Sequence, residues 1–158
     1  MKKLYSVLVE NRAGVLSKVS GLFARRCFNI DSLVVGETFD PEVSNMTIVS
    51  SGDERTLEQI EKQLNKKLDI IKVRTFSESE ALTREVIFVK LKYAASNRAE
   101  ILEICQMCKA EIVDSTDSSL ILLLCDTPDR VNKFIDMVKK YNITELSRTG
   151  TLAMRRCK

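Results

Sequence analysis

The sequence of 158 residues contains no histidine, and this absence excludes more chemistry than any other feature of the chain. Without histidine there is no Ser–His or Cys–His couple, no imidazole general base and no zinc site with a histidine ligand. Carboxylates and lysines remain, but their spacing brings out no pair of catalytic groups. We therefore expect this chain to contain no catalytic residues and no metal site.

Long apolar runs and an excess of one charge are also missing. No stretch approaches the roughly 18 apolar residues that a membrane-spanning helix needs. The 25 Lys and Arg residues are balanced by 22 Asp and Glu residues, so there is no basic surface typical of binding to a nucleic-acid backbone. Five cysteines, an odd number, without an export signal are typical of reduced thiols. The sequence predicts a cytoplasmic protein that binds neither nucleic acid nor a membrane.

Two copies of one pattern of strands and helices follow each other along the chain. The first copy predicts strand 3–10, helix 14–26, strands 28–36 and 44–51, a helix capped by Asp53, and strand 69–76. After a polar linker at 77–83, the second predicts strand 85–93, a helix opening at Asn97, strands on both sides of Asp117 and Ser118, a helix opening at Pro128, and strand 143–156. The order βαββαβ is the ferredoxin-like arrangement. We predict an α+β protein with two such domains in tandem, residues 1–77 and 78–158.

Apolar residues indicate which faces are buried. The first helix has a stripe formed by Leu16, Val19, Leu22 and Phe23. The segment SLILLLC, in contrast, is apolar on both faces of its strand, although a two-layer domain covers only one face of its sheet with helices. The second face then needs cover from a neighbouring domain or another chain, and we predict an oligomer.

The turn between the first strand and the first helix, residues 11–16, is suited to a small anion. Gly14 allows positive φ or a close approach of ligand to backbone. The N–H groups from Ala13 to Leu16 have no acceptor within the helix, and Asn11 offers an amide donor and acceptor. These groups suit the carboxylate and amine of an amino acid. The alternative is that Asn11 and Gly14 only make a tight turn, and the spacing by itself favours that alternative.

Three segments of the chain resemble one protein family. Those in the first half are ENRAGVLSKVSGLFARRCFNIDSLVVGET and SNMTIVSSGDERTLEQIEKQLNKKLDIIKV, and the one in the second half is EIVDSTDSSLILLLCDTPDRVNKFIDMVKKYNITELSRTGTLAMRR. They resemble the small regulatory subunits of acetolactate synthase (acetohydroxyacid synthase). The resemblance covers nearly the whole chain, and it implies an ACT domain followed by the family's C-terminal domain.

The resemblance also implies what the protein does. It implies a noncatalytic subunit that activates a separate catalytic subunit in valine, leucine and isoleucine biosynthesis, and that confers feedback inhibition by valine or a related branched-chain amino acid. The cofactors, thiamine diphosphate, magnesium and any FAD, would be bound by the catalytic subunit and not by this chain. The small subunit would form a homodimer through its ACT domains.

The resemblance implies a binding site shared by two protomers. The turn of one protomer would hold the carboxylate and amine of the amino acid, while a segment of the other would complete the site. The implied effector-binding residues are Asn11, Ala13, Gly14, Val15, Leu16, Asn29 and Ile30. Leu16, Ile30 and Val34 are candidates for an apolar wall, although core packing also explains them. Where the family usually has glycine at the C-terminal cap of the helix, this chain has Cys27, which adopts the left-handed conformation only with strain.

Other functions remain open. A free-standing ACT-domain sensor would bind an amino acid without activating a catalytic partner. RNA-recognition motifs share the order βαββαβ, but they stack bases on aromatic residues of the central strands, and NMTIV and SLILLLC contain none. Cys105 and Cys108 form a C-x-x-C motif, but its position within a helix, without histidine or a second pair, favours core packing over a metal or redox site.

Overall fold

A computed structural model of the protein describes residues 1–77 and 79–157. Glu78, in the predicted linker, and Lys158, at the end of the predicted second domain, lie outside the described residues. None of the helices in the described part of the chain combines the length and apolarity needed to cross a bilayer.

The chain divides into two compact units, and each is built on one antiparallel sheet. The first unit contains residues 1–82 together with 151–157, and the second contains residues 83–150. Each unit follows the βαββαβ order with two helices packed on one face of its sheet. The predicted α+β class with two ferredoxin-like units is confirmed.

The first unit has the strand order β2-β3-β1-β4. Its elements are β1 (Lys2–Glu10), α1 (Val15–Ala24), β2 (Ser32–Glu37), β3 (Val43–Ser51), α2 (Glu54–Leu64) and β4 (Ile70–Phe76). Alternation in β1 buries Tyr5, Val7 and Val9 against the helices. Asp53 caps α2, because its Oδ1 accepts a hydrogen bond of 2.7 Å from the Thr56 N–H. In this sheet β2 is an edge strand, and its outer side has no partner among the described strands.

Two details of the first unit differ from the predictions. Leu16 was expected in the buried stripe of α1, but it is 45% exposed, and Val15 is buried in its place. The second strand begins at Ser32 and not at residue 28. The preceding residues close the end of α1 instead, where the Phe28 N–H donates to the Phe23 carbonyl.

The second unit has the strand order β6-β7-β5-β8. Its elements are β5 (Ala81–Lys92), a short 3₁₀ turn (Ala95–Asn97), α3 (Arg98–Cys108), β6 (Glu111–Ser115), β7 (Ser119–Asp126), α4 (Pro128–Val138) and β8 (Asn142–Arg148). Pro128 is the first residue of α4, as predicted. Asn97 does not cap α3: it ends the 3₁₀ turn with helical angles, φ −98° and ψ −8°, whereas a capping side chain needs an extended residue. The predicted linker is also shorter, because residues 81–83 already belong to β5.

The predicted last strand, residues 143–156, is wrong as a single element. It is interrupted after Arg148 by a turn in which Gly150 has φ +86°. The strand that follows, β9 (Leu152–Arg155), pairs with β5 and belongs to the first unit. The left-handed glycine redirects the chain at this point. Apolar and polar residues alternate on both sides of it, so the sequence pattern did not reveal the break.

Candidate amino-acid-binding site

The opening turn, residues 11–16, places unpaired backbone N–H groups around Gly14. Gly14 has φ +86° and ψ −11°, and a Cβ at this position would meet no atom within 4 Å. Val15 donates its N–H to the Arg12 carbonyl over 3.3 Å. Within the part of the chain that the structure describes, the N–H groups of Ala13, Gly14 and Leu16 have no acceptor. They lie at the positive end of the dipole of α1 and suit an anionic oxygen.

The side chain of Asn11 is held in one orientation by two acceptors. Its Nδ2 donates to Glu37 Oε1 at 2.9 Å and to the Pro41 carbonyl at 2.8 Å. Its backbone N–H donates to the Glu42 carbonyl at 2.7 Å. Both amide hydrogens are therefore in use, and among the described residues none donates to Oδ1. Asn11 can accept from an ammonium group but has no hydrogen left for a carboxylate.

Sequence reasoning missed Glu37 and Pro41. They lie 26 and 30 residues from Asn11 along the chain, and no local pattern connects these positions. Only the pairing of strands in the sheet brings them to the turn.

The other predicted residues lie in the Asn29 segment, residues 29–32, which leads into β2. The Asn29 carbonyl accepts a hydrogen bond of 2.6 Å from Ser50 Oγ, and Asn29 Nδ2 donates to Asp31 Oδ1 at 2.6 Å. The Asp31 N–H donates to the Val49 carbonyl at 2.8 Å. Ile30 is partly buried and packs on the core of the first unit. The segment is thus fastened to the last residues of β3.

The opening turn and the Asn29 segment lie at opposite ends of β3. Asn11 bonds to Glu42, which precedes the strand, whereas Asn29 bonds to Ser50 near its end. At about 3.3 Å per residue, eight residues correspond to roughly 26 Å. A single chain therefore does not bring the two groups of predicted residues together.

Apolar surface is available at the opening turn. Leu16 is 45% exposed beside the unpaired N–H groups, while Val15 is buried in the core. Val34 in the edge strand is partly exposed. The turn can therefore offer donors to a carboxylate, one acceptor to an ammonium group, and contact to a small apolar side chain.

Cys27 takes the conformation that glycine would take at the end of α1. It has φ +55°, its N–H donates to the Ala24 carbonyl at 3.2 Å, and the next N–H, that of Phe28, donates to the Phe23 carbonyl at 3.0 Å. Cys27 therefore forms the left-handed cap itself, at a conformational cost of about 1 kcal/mol.

The remaining chemical motifs have structural explanations. Cys105 is 3% exposed, and it packs with Cys108 in the core of the second unit. Burial raises the pKa of both thiols, which disfavours the thiolate that redox chemistry or metal binding requires. In residues 1–77 and 79–157, no group of three or more Cys, Asp or Glu side chains is placed to hold a metal ion.

Comparison with known proteins gives matches along the whole chain. Residues 5–72 match the AHAS small subunit-like ACT domain, and residues 84–157 match the small subunit of acetolactate synthase. The probable acetolactate synthase small subunit of Archaeoglobus fulgidus is 45% identical over 154 residues, which is 98% of this chain and 96% of that protein. The acetolactate synthase small subunit of Haemophilus influenzae is 43% identical over 157 residues, 99% of this chain and 96% of that protein.

A solved structure matches both halves of the chain. The crystal structure of the acetolactate synthase small subunit from Thermotoga maritima has a TM-score of 0.93 at 34% sequence identity. The match covers 100% of this chain and 99% of that one.

Proposed function

Because the chain belongs to the family of acetolactate synthase small subunits, we propose that it binds a branched-chain amino acid at a site completed by a second copy of itself. The small subunit is regulatory, and its catalytic partner is the large subunit of acetolactate synthase. Valine is our first candidate for the effector. Its binding inhibits the catalytic subunit, which the small subunit otherwise activates.

The opening turn and the Asn29 segment, the two halves of the proposed site, lie at opposite ends of β3, and this separation is the observation that supports a shared site. Since the opening turn and the Asn29 segment lie roughly 26 Å apart in one chain, a second copy of the chain must supply the other half of each site. The edge strand β2 offers a way to do this. It starts at Ser32, the last residue of the Asn29 segment, and ends at Glu37, which bonds to Asn11. Antiparallel pairing of β2 with its own copy places the start of one strand beside the end of the other.

The groups at the opening turn fit the two ends of an amino acid. The unpaired N–H groups of Ala13, Gly14 and Leu16 receive the carboxylate. Asn11 Oδ1 receives the ammonium group, because the amide hydrogens of Asn11 are already used. Leu16 and, from the second copy, Ile30 contact the branched apolar side chain. An amino acid that bridges two protomers stabilises the arrangement that closes the site, and this preference is the source of its regulatory effect.

We assign thiamine diphosphate, magnesium and any FAD to the catalytic subunit. This assignment follows from the roles that the family implies, in which the large subunit is catalytic and the small subunit is regulatory. The contribution of this chain is then to change the activity of a catalytic centre in another protein.

Calorimetric titration of valine into the full chain tests the site. We expect saturable binding that Asn11→Ala weakens at least tenfold, because the substitution removes the acceptor for the ammonium group. Asn65→Ala is the matched control: this asparagine donates to the Glu61 carbonyl at the end of α2 and takes no part in the proposed site. Equal affinity for all three proteins contradicts the assignment. Titration of the catalytic subunit, with its activity as the readout, separates a regulatory subunit from a free-standing sensor.

A further inference from the structure

The strand β9 lies on the face of the first sheet that the helices leave uncovered. Ala153, 5% exposed, packs there in a small cluster with Leu4, Val49, Phe76 and Ala81. Leu4 and Val49 alternate along β1 and β3 with the residues that face the helices, so they point to the opposite side of the sheet. Residues from the extreme end of the chain thus form part of the core of the first unit.

Both ends of β9 are fastened by hydrogen bonds. Before the strand, the Thr151 N–H donates to Ser32 Oγ at 2.7 Å, and Thr151 is 6% exposed. After the strand, the Arg156 N–H donates to the Glu80 carbonyl at 3.0 Å. Arg155 also pairs with the Glu80 carboxylate at 3.4 Å. Ser32, which accepts the hydrogen bond from Thr151, is the last residue of the Asn29 segment.

A second connection from β9 to the Asn29 segment passes through Val49. The Val49 side chain packs against Ala153, and its carbonyl accepts the Asp31 N–H. The neighbouring residue, Ser50, donates to the Asn29 carbonyl. Docking of β9 therefore restrains both Ser32 and the end of β3 to which the Asn29 segment is tied.

We propose that β9 is a strap that positions the Asn29 segment for effector binding, with Ser32 as the positioning residue that connects them. This inference rests on the proposed effector site. If the docked strap favours the closed site, then by linkage the bound amino acid must favour the docked strap to the same extent. The C-terminal strand, although it follows the second unit in sequence, is then part of the regulatory device of the first.

Two substitutions on adjacent residues of β9 test the strap. Ala153→Asp places a carboxylate in the apolar cluster and releases the strand, whereas Leu152→Asp adds the same charge to a side chain that is 52% exposed. We expect Ala153→Asp to weaken valine binding about 5- to 150-fold, the usual range of coupling between linked equilibria. We expect Leu152→Asp to change it less than twofold. Circular dichroism establishes that both variants are folded.

Ser32 provides a test that leaves the core unchanged. Ser32→Ala removes the acceptor for the Thr151 N–H, while Ser32→Thr keeps a hydroxyl at the same atom position. We expect weaker valine binding for the alanine variant and recovery for the threonine variant. A role of Ser32 limited to strand packing predicts no such recovery.

Hydrogen exchange on the unmodified protein gives a reading that does not depend on any variant. Saturating valine should slow exchange of the backbone amides in residues 151–156 and leave those of β7 unchanged. If the unmodified protein binds no branched-chain amino acid, the assignment of the effector site is wrong and so is the proposed role of the strap. If it binds valine but exchange at residues 151–156 is unaltered, or if Ala153→Asp and Leu152→Asp bind it equally, the site stands and the strap is refuted.

Discussion

Replacement of Gly14 by aspartate should abolish the response to valine and leave the fold intact. The side chain would project from the turn into open space, since a Cβ at this position meets no atom within 4 Å. Its carboxylate would then occupy the region where the unpaired N–H groups face the carboxylate of the effector. The matched control is Gly14→Asn, which has nearly the same shape and no charge.

The two variants should have similar stability. Both introduce a Cβ at φ +86°, and asparagine and aspartate tolerate the left-handed region better than other residues. We expect a cost of about 1 kcal/mol in the free energy of unfolding for each. The aspartate recovers part of this through its position at the N-terminus of α1. Loss of valine binding in Gly14→Asp therefore cannot be ascribed to unfolding.

Charge repulsion sets the size of the difference in binding. Two carboxylates about 4 Å apart repel by about 1 kcal/mol in water and about 4 kcal/mol near a protein surface. Valine should therefore bind Gly14→Asp about 5- to 1000-fold more weakly than Gly14→Asn. Calorimetry measures the affinities, and assays with the catalytic subunit should show activation retained and valine inhibition lost. Equal valine affinity in the two variants would show that no carboxylate binds at this turn.

Three further predictions concern the stability of the two units and of the C-terminal strand. Cys27→Gly should raise the free energy of unfolding by about 1 kcal/mol, because glycine adopts φ +55° without strain. Urea denaturation of this variant and of Cys27→Ala measures the difference, and equal stability of the two variants would refute the prediction. Arg148→Ala should lower the free energy of unfolding by about 1–3 kcal/mol. The substitution leaves the carboxylate of Glu85, which is 4% exposed, without its ion-pair partner at 2.7 Å. The cost is below that usual for a buried pair, because the side chain of Arg148 is itself about one-third exposed. Hydrogen bonds from the backbone and hydroxyl of Ser77 lower the pKa of Glu80, so the stability that this carboxylate contributes should disappear as the pH falls below the ordinary carboxyl range. Proteolysis of the C-terminal strand should then increase in acid, and Glu80→Gln should make it less dependent on pH.

Much of the fold follows from patterns that involve only neighbouring residues. Alternation in β1 predicts which side chains face the helices, and Asp53 and Pro128 mark the starts of their helices correctly. These signals are local, because a cap or a strand face depends on atoms within a few residues. Asn97 is the exception: its type and spacing suit a cap, but the preceding 3₁₀ turn determines its backbone angles.

The candidate site is only partly visible in the sequence. The glycine and the asparagine of the opening turn are apparent from their order after a strand and before a helix. The orientation of the Asn11 amide is not, because Glu37 and Pro41 reach it only through the sheet. The exposure of Leu16 is equally hidden, since a helical stripe does not specify which of two adjacent residues, 15 or 16, points to the core.

The sequence by itself determined the two βαββαβ units and the type of residue at the opening turn, because periodicity and turn chemistry are properties of short segments. The tertiary structure alone decided where the end of the chain belongs. The pattern of residues 143–156 suits one continuous strand, but the left-handed Gly150 breaks it, and β9 instead buries Ala153 against residues that are far away in sequence. Which sheet a strand joins depends on the apolar surface left uncovered elsewhere in the molecule, and no short segment contains that information.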